Sequence, residues 1–254
     1  IKDKLKDYYP DGELSSIIKI LLTDLFSLST IEIYGNKDNF FSKKEMSELD
    51  LIIERLKNFE PIQYILGYEI FYGMKFKVTK DTLIPRPETA ELIDWIISDS
   101  RGGGVTIIDI GTGTGCIAIS LAANLPGSNV EGWDISEEAL KVAAENGANI
   151  AAMNRLNPWD EKTVKWIHSD LFSKVPEEKF DMIVSNPPYI ASSVIPTLME
   201  EVREHEPMSA LDGMEDGLFF YRKIVAESGK YLAKEGMLFF EIGMVLSFSN
   251  FKFL

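Results

Sequence analysis

Cysteine is almost missing: Cys116 stands alone among 254 residues, so no disulfide can close within the chain and a reducing, cytoplasmic setting is expected. Histidine is scarce too. His168 and His205 are far apart in sequence and offer no clustered metal site, so no metal is expected. No apolar run approaches the ~18 uncharged residues that a membrane span requires. The best of them, from Ile17 to Leu22, is broken by Lys19. The first apolar segment is short and flanked by acids, unlike a signal peptide. The chain also lacks any Lys/Arg-rich run, which excludes a nonspecific grip on duplex DNA through phosphate neutralisation.

What remains has the make-up of an ordinary globular protein, with 45% hydrophobic and 26% charged residues. Acids dominate: 40 Asp and Glu against 26 Lys and Arg give a formal net charge of −14. The excess is uneven. Residues 1–80 carry 12 basic and 13 acidic side chains, whereas residues 81–254 carry 14 and 27. The acidic portion suits a basic partner or a small molecule, and it also favours solubility.

The first sixty residues have helical spacing. Leu14, Ile17, Ile18, Leu21, Leu22 and Leu25 make one apolar stripe. A second helix opens at Ser42, with Glu45 as its capping-box partner and Phe41 placed to staple onto Met46. Its expected buried face is Met46, Leu49, Ile53 and Leu56, and Pro61 marks its expected end. Residues 1–61 therefore read as a small helical bundle. From Ile62 the apolar period changes to two, and residues 62–83 read as a linking β-hairpin that turns at Gly73. Residues 84–254 begin with Pro85-Arg86-Pro87, which holds the chain extended before a helix over 89–98. Strand-like segments at 105–110, 129–134, 164–168, 180–185 and 237–242 then alternate with helical ones at 116–124, 137–145 and 218–232. That rhythm implies an α/β fold with a mainly parallel, Rossmann-like sheet covered on both faces. Ligands of such sheets bind beyond the carboxyl ends of the strands.

Four strand ends carry candidate chemistry. After the first comes Asp109-Ile-Gly111-Thr112-Gly113-Thr114-Gly115, a turn whose glycines let a ligand approach the backbone. Its spacing is neither that of dinucleotide enzymes nor that of a phosphate loop. Asp134 ends the second strand, where a carboxylate can accept from both hydroxyls of a ribose. Asp170 and Leu171 follow the third, placed to meet an exocyclic amine and a purine face. Each Asp taken singly reads better as a helix cap or turn residue; together they describe an adenosine-bearing ligand. After the fourth strand comes Ser185-Asn186-Pro187-Pro188-Tyr189. Methylating an amide or an aromatic amine requires both N–H hydrogens to be held, so that the delocalised lone pair faces the methyl donor. The Asn186 side-chain oxygen and the Pro187 carbonyl can accept one hydrogen each. Consecutive prolines pre-set the carbonyl, and Tyr189 offers a flat face to a planar group.

On these residues the chain resembles the release factor glutamine methyltransferases, which methylate the glutamine of the Gly-Gly-Gln loop in bacterial peptide chain release factors. Further markers are Pro61-Ile-Gln-Tyr-Ile-Leu-Gly67, Phe71-Tyr-Gly73, Ile84-Pro-Arg-Pro-Glu-Thr89, Glu206-Pro207 with Ala210-Leu211, Asp216-Gly217-Leu218 and Glu241-Ile-Gly243. The related ribosomal-protein glutamine methyltransferases typically carry Pro-Arg-Ser-Pro where this chain has Pro-Arg-Pro-Glu, and adenine-amino methyltransferases share Asn-Pro-Pro-Tyr. The resemblance implies a class I fold behind an N-terminal substrate-recognition domain. It implies S-adenosyl-L-methionine contacts at Asp109, Gly111 to Gly115, Asp134, Asp170, Leu171 and Asn186, with S-adenosyl-L-homocysteine as product. Asn186, Pro187, Pro188 and Tyr189 would hold the substrate glutamine, with Asn186, Pro187 and Tyr189 as catalytic residues. The implied partner is a release factor, with no direct nucleic acid and no membrane, and a monomer is expected. Three departures stand out. Leu171 takes a position where relatives can have an aromatic, and Met214 takes that of a second glycine after Gly213, so that loop is expected to differ. After Gly243 only eleven residues remain, room for one strand at 245–254, where class I methyltransferases usually add a helix and a strand pair.

Overall fold

The computed structural model describes residues 1–34, 41–100, 104–153, 164–176 and 178–243. They form two compact units, 1–67 with 200–205, and 68–199 with 206 onward. The strand expected at 245–254 lies outside the described residues.

In the first unit, α1 (Lys2–Leu5), α2 (Asp11–Ile20), α3 (Thr30–Tyr34), α4 (Lys43–Lys57) and α5 (Ile62–Leu66) follow one another, and α2 runs on as a π turn over Leu21–Leu25. Leu14, Ile17 and Leu21 bury the expected stripe against α4. The capping box forms, with the Glu45 amide donating to Ser42 Oγ at 3.2 Å and the Ser42 amide to Glu45 Oε2 at 2.7 Å. The α4 face differs by one position. Leu49, Ile52, Ile53 and Leu56 are buried, at i, i+3, i+4 and i+7, whereas Met46 in the first turn is 44% exposed. Phe41 packs edge-on against Phe26, with ring centroids 4.7 Å apart. The period-two reading from Ile62 is also corrected. Pro61, with φ −53°, precedes a helical turn, and Gly67, left-handed at φ 79°, ends it by donating to the Gln63 carbonyl. Helix α4 itself stops earlier, at Lys57. The segment α9 (Glu200–His205) belongs to this unit, and His205 Nε2 donates to the Asn58 carbonyl at 2.8 Å.

The second unit opens with a hairpin, β1 (Tyr68–Phe71) and β2 (Met74–Lys77). Its two-residue turn has φ 49° at Tyr72 and 73° at Gly73, the type I′ geometry that matches strand twist. Then α6 (Pro87–Asp99) starts two residues before the expected position, because proline fits the first helical turn, where its missing N–H leaves no gap. The sheet comprises β3 (Thr106–Ile110), β4 (Asn129–Asp134), β5 (Val164–His168), β6 (Phe180–Ser185) and β7 (Leu232–Phe240), all parallel, in the order β5-β4-β3-β6-β7. Helices α7 (Cys116–Asn124), α8 (Glu137–Met153) and α11 (Phe219–Tyr231) supply crossovers, and α10 (Met208–Leu211) lies in the loop after β6. Strand β7 starts earlier than its apolar pattern indicates, through a register shift against β6. Ile107, Ile117, Leu121, Met182 and Val184 fill one side of the sheet; Ile108, Ile110, Trp133 and Ile183 fill the other. Trp166 of β5 lies so close to β4 that a Cβ on Gly132 would come within 2.5 Å of its ring. Among the described residues, no helix is long and apolar enough to cross a membrane.

Candidate functional site

The chain leaves central β3 for β4 and β5 on one side and returns to β6 and β7 on the other. The boundary between β3 and β6 is thus the topological switch point, where a crevice opens at the strand ends. Ile110 pairs with Ser185 across it, and the buried Ser185 hydroxyl donates to the Ile110 carbonyl at 2.6 Å. The glycine turn and the Asn-Pro-Pro elbow therefore leave the sheet side by side. They open onto one cavity of about 390 Å³, lined by Gly111 to Thr114, Asp134, Asp170, Leu171 and Asn186 to Pro188 among others.

The turn is built by its glycines and anchored by its neighbours. Gly111, Gly113 and Gly115 all have positive φ (74°, 55° and 79°), and a Cβ on Gly111 or Gly113 would meet nothing within 4 Å, since both face open space. The Gly111 and Thr112 amides donate to the Trp133 carbonyl at 2.8 and 3.0 Å. Asp134 Oδ2 accepts the Gly113 amide at 2.8 Å, and its Oδ1 accepts the Ser136 amide at 2.8 Å. Burial raises the Asp134 pKa, and those amides with the nearby His168 oppose the rise. Three backbone amides, those of Gly113, Ser136 and Ile135, thus face the carboxylate, which keeps capacity for one further donor.

Asp109 and Gly115 do not line the cavity. Asp109 is wholly buried and reaches it through Thr112, whose hydroxyl donates to Asp109 Oδ2 at 2.6 Å. Desolvation pushes the Asp109 pKa up to about 7 against the Thr112 hydroxyl and Ala118 amide. Asp170 is exposed at the rim, two residues past the end of β5. Leu171, left-handed at φ 47°, follows it in a turn tied by Ser169, whose hydroxyl donates to the Leu171 carbonyl at 2.7 Å. The Cys116 thiol is pushed up to about 12 by burial, which keeps it protonated and makes it a packing group.

The elbow is gripped from behind by glycines. A Cβ on Gly217 would lie 2.3 Å from the Tyr189 carbonyl oxygen, one on Gly213 2.8 Å from that of Pro188, and one on Gly243 2.8 Å from the Tyr189 ring. Tyr189 is half-buried and absent from the cavity wall. At φ 70° Met214 adopts the left-handed conformation that favours glycine, and its amide donates to Asp212 Oδ1 at 2.8 Å. Two markers pair with each other, since the Arg86 guanidinium at the cavity wall donates to the buried Glu206 carboxylate.

Sequence reasoning missed two contributors. Ile135, 57% exposed, lines the cavity directly after Asp134, and an apolar residue stranded after a strand-ending acid was its only signal. Asn146 is 1% exposed on α8; its Oδ1 accepts the Lys77 amide at 2.7 Å, and its Nδ2 donates to the carbonyls of Lys77 and Thr114 at 3.0 Å each. A polar residue on the apolar face of α8 was the signal there.

Two family models match the chain, the PrmC N-terminal domain over residues 1–67 and the methyltransferase small domain over residues 92–205. A release factor glutamine methyltransferase of Bacteroides thetaiotaomicron is 40% identical over 245 residues, covering 95% of this chain and 84% of that protein. Its namesake from Flavobacterium psychrophilum is 37% identical, covering 95% and 84%. That from Thermodesulfovibrio yellowstonii is 38% identical, covering 88% and 77%.

Proposed function

The chain belongs to the release factor glutamine methyltransferase family, and from that premise we propose that it transfers a methyl group from S-adenosyl-L-methionine to the side-chain amide nitrogen of the Gly-Gly-Gln glutamine in peptide chain release factors. The cofactor supplies a methyl group already activated on a sulfonium. What the protein must add is position, a contribution worth up to roughly 7–11 kcal/mol in favourable cases.

The observation that carries this reading is the adjacency of Gly111 and Asn186 at the switch point, on one cavity. The residues present fit the cofactor. Gly111 to Thr114 leave an open cradle without a phosphate-binding lysine, Asp134 keeps acceptor capacity for a ribose hydroxyl, and Ile135 with Leu171 offers apolar surface for a base. Asp109 acts on that cradle through Thr112, and Gly115 through the start of α7. Asp170 at the rim is left for the exocyclic amine.

On the other side, Asn186 Oδ1 and the Pro187 carbonyl accept the two amide hydrogens of the substrate glutamine, and Pro188 holds that carbonyl in place. The nitrogen lone pair then faces the methyl carbon. Transfer would form the N–C bond as the S–C bond breaks with its electron pair left on sulfur, giving S-adenosyl-L-homocysteine, and the nitrogen would release one proton to water. Tyr189, absent from the cavity wall, supports the elbow from behind with its ring against Gly243. The protein works as a cytoplasmic monomer, and its acidic 81–254 portion meets a basic release factor.

Incubation with labelled methyl donor and purified release factors, followed by mapping of the modified residue, tests the reading. Label on the Gly-Gly-Gln glutamine is the expected result. Label on a ribosomal protein or on adenine alone would replace it with one of the related activities.

A further inference from the structure

An asparagine side chain has an oxygen that accepts and a nitrogen that donates, and rotation by half a turn exchanges them. The proposed reaction needs the Asn186 oxygen toward the substrate, so its NH₂ must find an acceptor on the far side. Backbone pairing supplies one. Ser185 is in register with Phe240, and the Glu241 amide donates to the Ser185 carbonyl at 3.1 Å, which sets Glu241 directly beside Asn186. The Glu241 backbone is held in turn by the Tyr221 hydroxyl, which donates to its carbonyl at 2.7 Å. Its carboxyl is turned inward: Oε2 is buried with no hydrogen-bond partner among the described residues, and Glu241 is absent from the cavity wall that Asn186 and Thr89 line.

We propose that Glu241 is a positioning residue, whose carboxylate accepts from the Asn186 NH₂ and thereby keeps the Asn186 oxygen facing the substrate amide. This rests on the methyl-transfer reading above. Glu241 never touches the reacting atoms. Its role requires ionisation, because a neutral carboxyl would offer a proton where Asn186 already has two. Desolvation raises its pKa, while the Thr89 and Asn186 side chains, approaching as donors, pull it down. The other charged or titratable groups around it are Glu88 and Arg86 from the start of α6, Cys116 from α7, Tyr189 from the elbow and Tyr221 from α11. Arg86 favours the ionised form and Glu88 disfavours it.

The test is a double-mutant cycle in single-turnover methylation of a release factor, using Glu241→Ala, Asn186→Ala and both together. Glu241→Ala should slow transfer by about 10–100-fold, the size typical of outer-shell partners, with S-adenosylhomocysteine affinity unchanged. In the Asn186→Ala background it should add almost nothing. Glu241→Gln resembles the neutral carboxyl, with one acceptor oxygen beside a donor, so it should hold the slow rate of the acid end across the whole profile and lose the acid limb. Full multiplicativity of the two alanine losses, or an acid limb unchanged in Glu241→Gln, overturns the inference while leaving the methyl-transfer reading intact. A wild-type protein that methylates no release factor overturns that reading instead.

Discussion

Asp134 at the end of β4 accepts the Gly113 amide at 2.8 Å, so the second strand end holds the glycine turn of the first in shape. A side chain marked in the sequence as a ligand acceptor is also a structural one. Asp134→Asn keeps a single acceptor oxygen for the two amides of Gly113 and Ser136, and one of them must lose its partner. The expected outcome is a loss of about 1–3 kcal/mol in stability and about 10-fold or more in S-adenosylhomocysteine affinity. Urea unfolding and calorimetric titration measure the two. Affinity within twofold of wild type would remove Asp134 from the ribose role.

Asp109 makes stability depend on pH in an unusual direction for an acid. Its folded pKa is raised to about 7, above the unfolded value of about 3.9. The folded state therefore binds a proton that the unfolded state has released. The resulting stabilisation is complete below the unfolded pKa and is lost as pH rises through about 7. Asp109→Asn retains an acceptor for the Thr112 hydroxyl and cannot ionise. Its stability relative to wild type should climb between pH 4.5 and 7.5, then level off. Parallel urea-unfolding curves at those pH values would show that Asp109 does not titrate there.

Much of this was legible in the sequence because the signals are local. The capping box at Ser42 and Glu45, the strand bounds of β4, β5 and β6, and the glycine turn each depend on residues within a few positions of one another. Misreadings came where a local pattern has two solutions. The run Ile62–Leu66 alternates like a strand, yet Pro61 and Gly67 bracket a helical turn. Met46 has the right spacing for the α4 face, but it sits in the first turn, away from the buried cluster. Least legible were contacts between distant segments. Arg86 with Glu206, and Gly217 with Tyr189, were visible as separate markers, and only the fold shows that each pair is one contact.

Asn146 is a contact of that kind, and it ties β2 and the glycine turn to α8 through three backbone groups. Asn146→Ala leaves those groups without a partner and should cost about 2–4 kcal/mol. Asn146→Asp should be worse, since a carboxylate can accept the Lys77 amide but faces two carbonyls with nothing to donate. Thermal melts should rank wild type above Asn146→Ala and Asn146→Ala above Asn146→Asp. An aspartate variant as stable as wild type would rule out this account.

Gly217 and Gly73 share nearly the same φ, 74° and 73°, but only Gly217 is crowded. An alanine at Gly73 meets nothing within 4 Å and should cost only the left-handed backbone penalty, about 1–2 kcal/mol. At Gly217 the new methyl would fall 2.3 Å from the Tyr189 oxygen, so the elbow itself must shift. Gly217→Ala should therefore slow methyl transfer by at least about 10²-fold, in line with the sensitivity of positioned reactants to displacements of order 1 Å. Gly73→Ala should leave the rate near wild type. Equal effects of the two substitutions on rate would mean that the elbow is not held by this contact.

The most direct test of the elbow is Asn186→Ala. On the proposed reading, removing its oxygen leaves one hydrogen of the substrate amide unheld, and the Pro187 carbonyl alone would not fix the plane of the carboxamide. Loss of a single oriented hydrogen-bonding group at a reacting centre typically costs about 10²–10³ in rate. The same loss is expected here under single-turnover conditions with saturating methyl donor. S-adenosylhomocysteine affinity should fall much less, because Gly111 to Thr114 and Asp134 remain in place on the cavity wall. The comparison separates two roles for Asn186. A large fall in affinity with a near-normal single-turnover rate would assign it to the cofactor, whereas the reverse pattern assigns it to the glutamine.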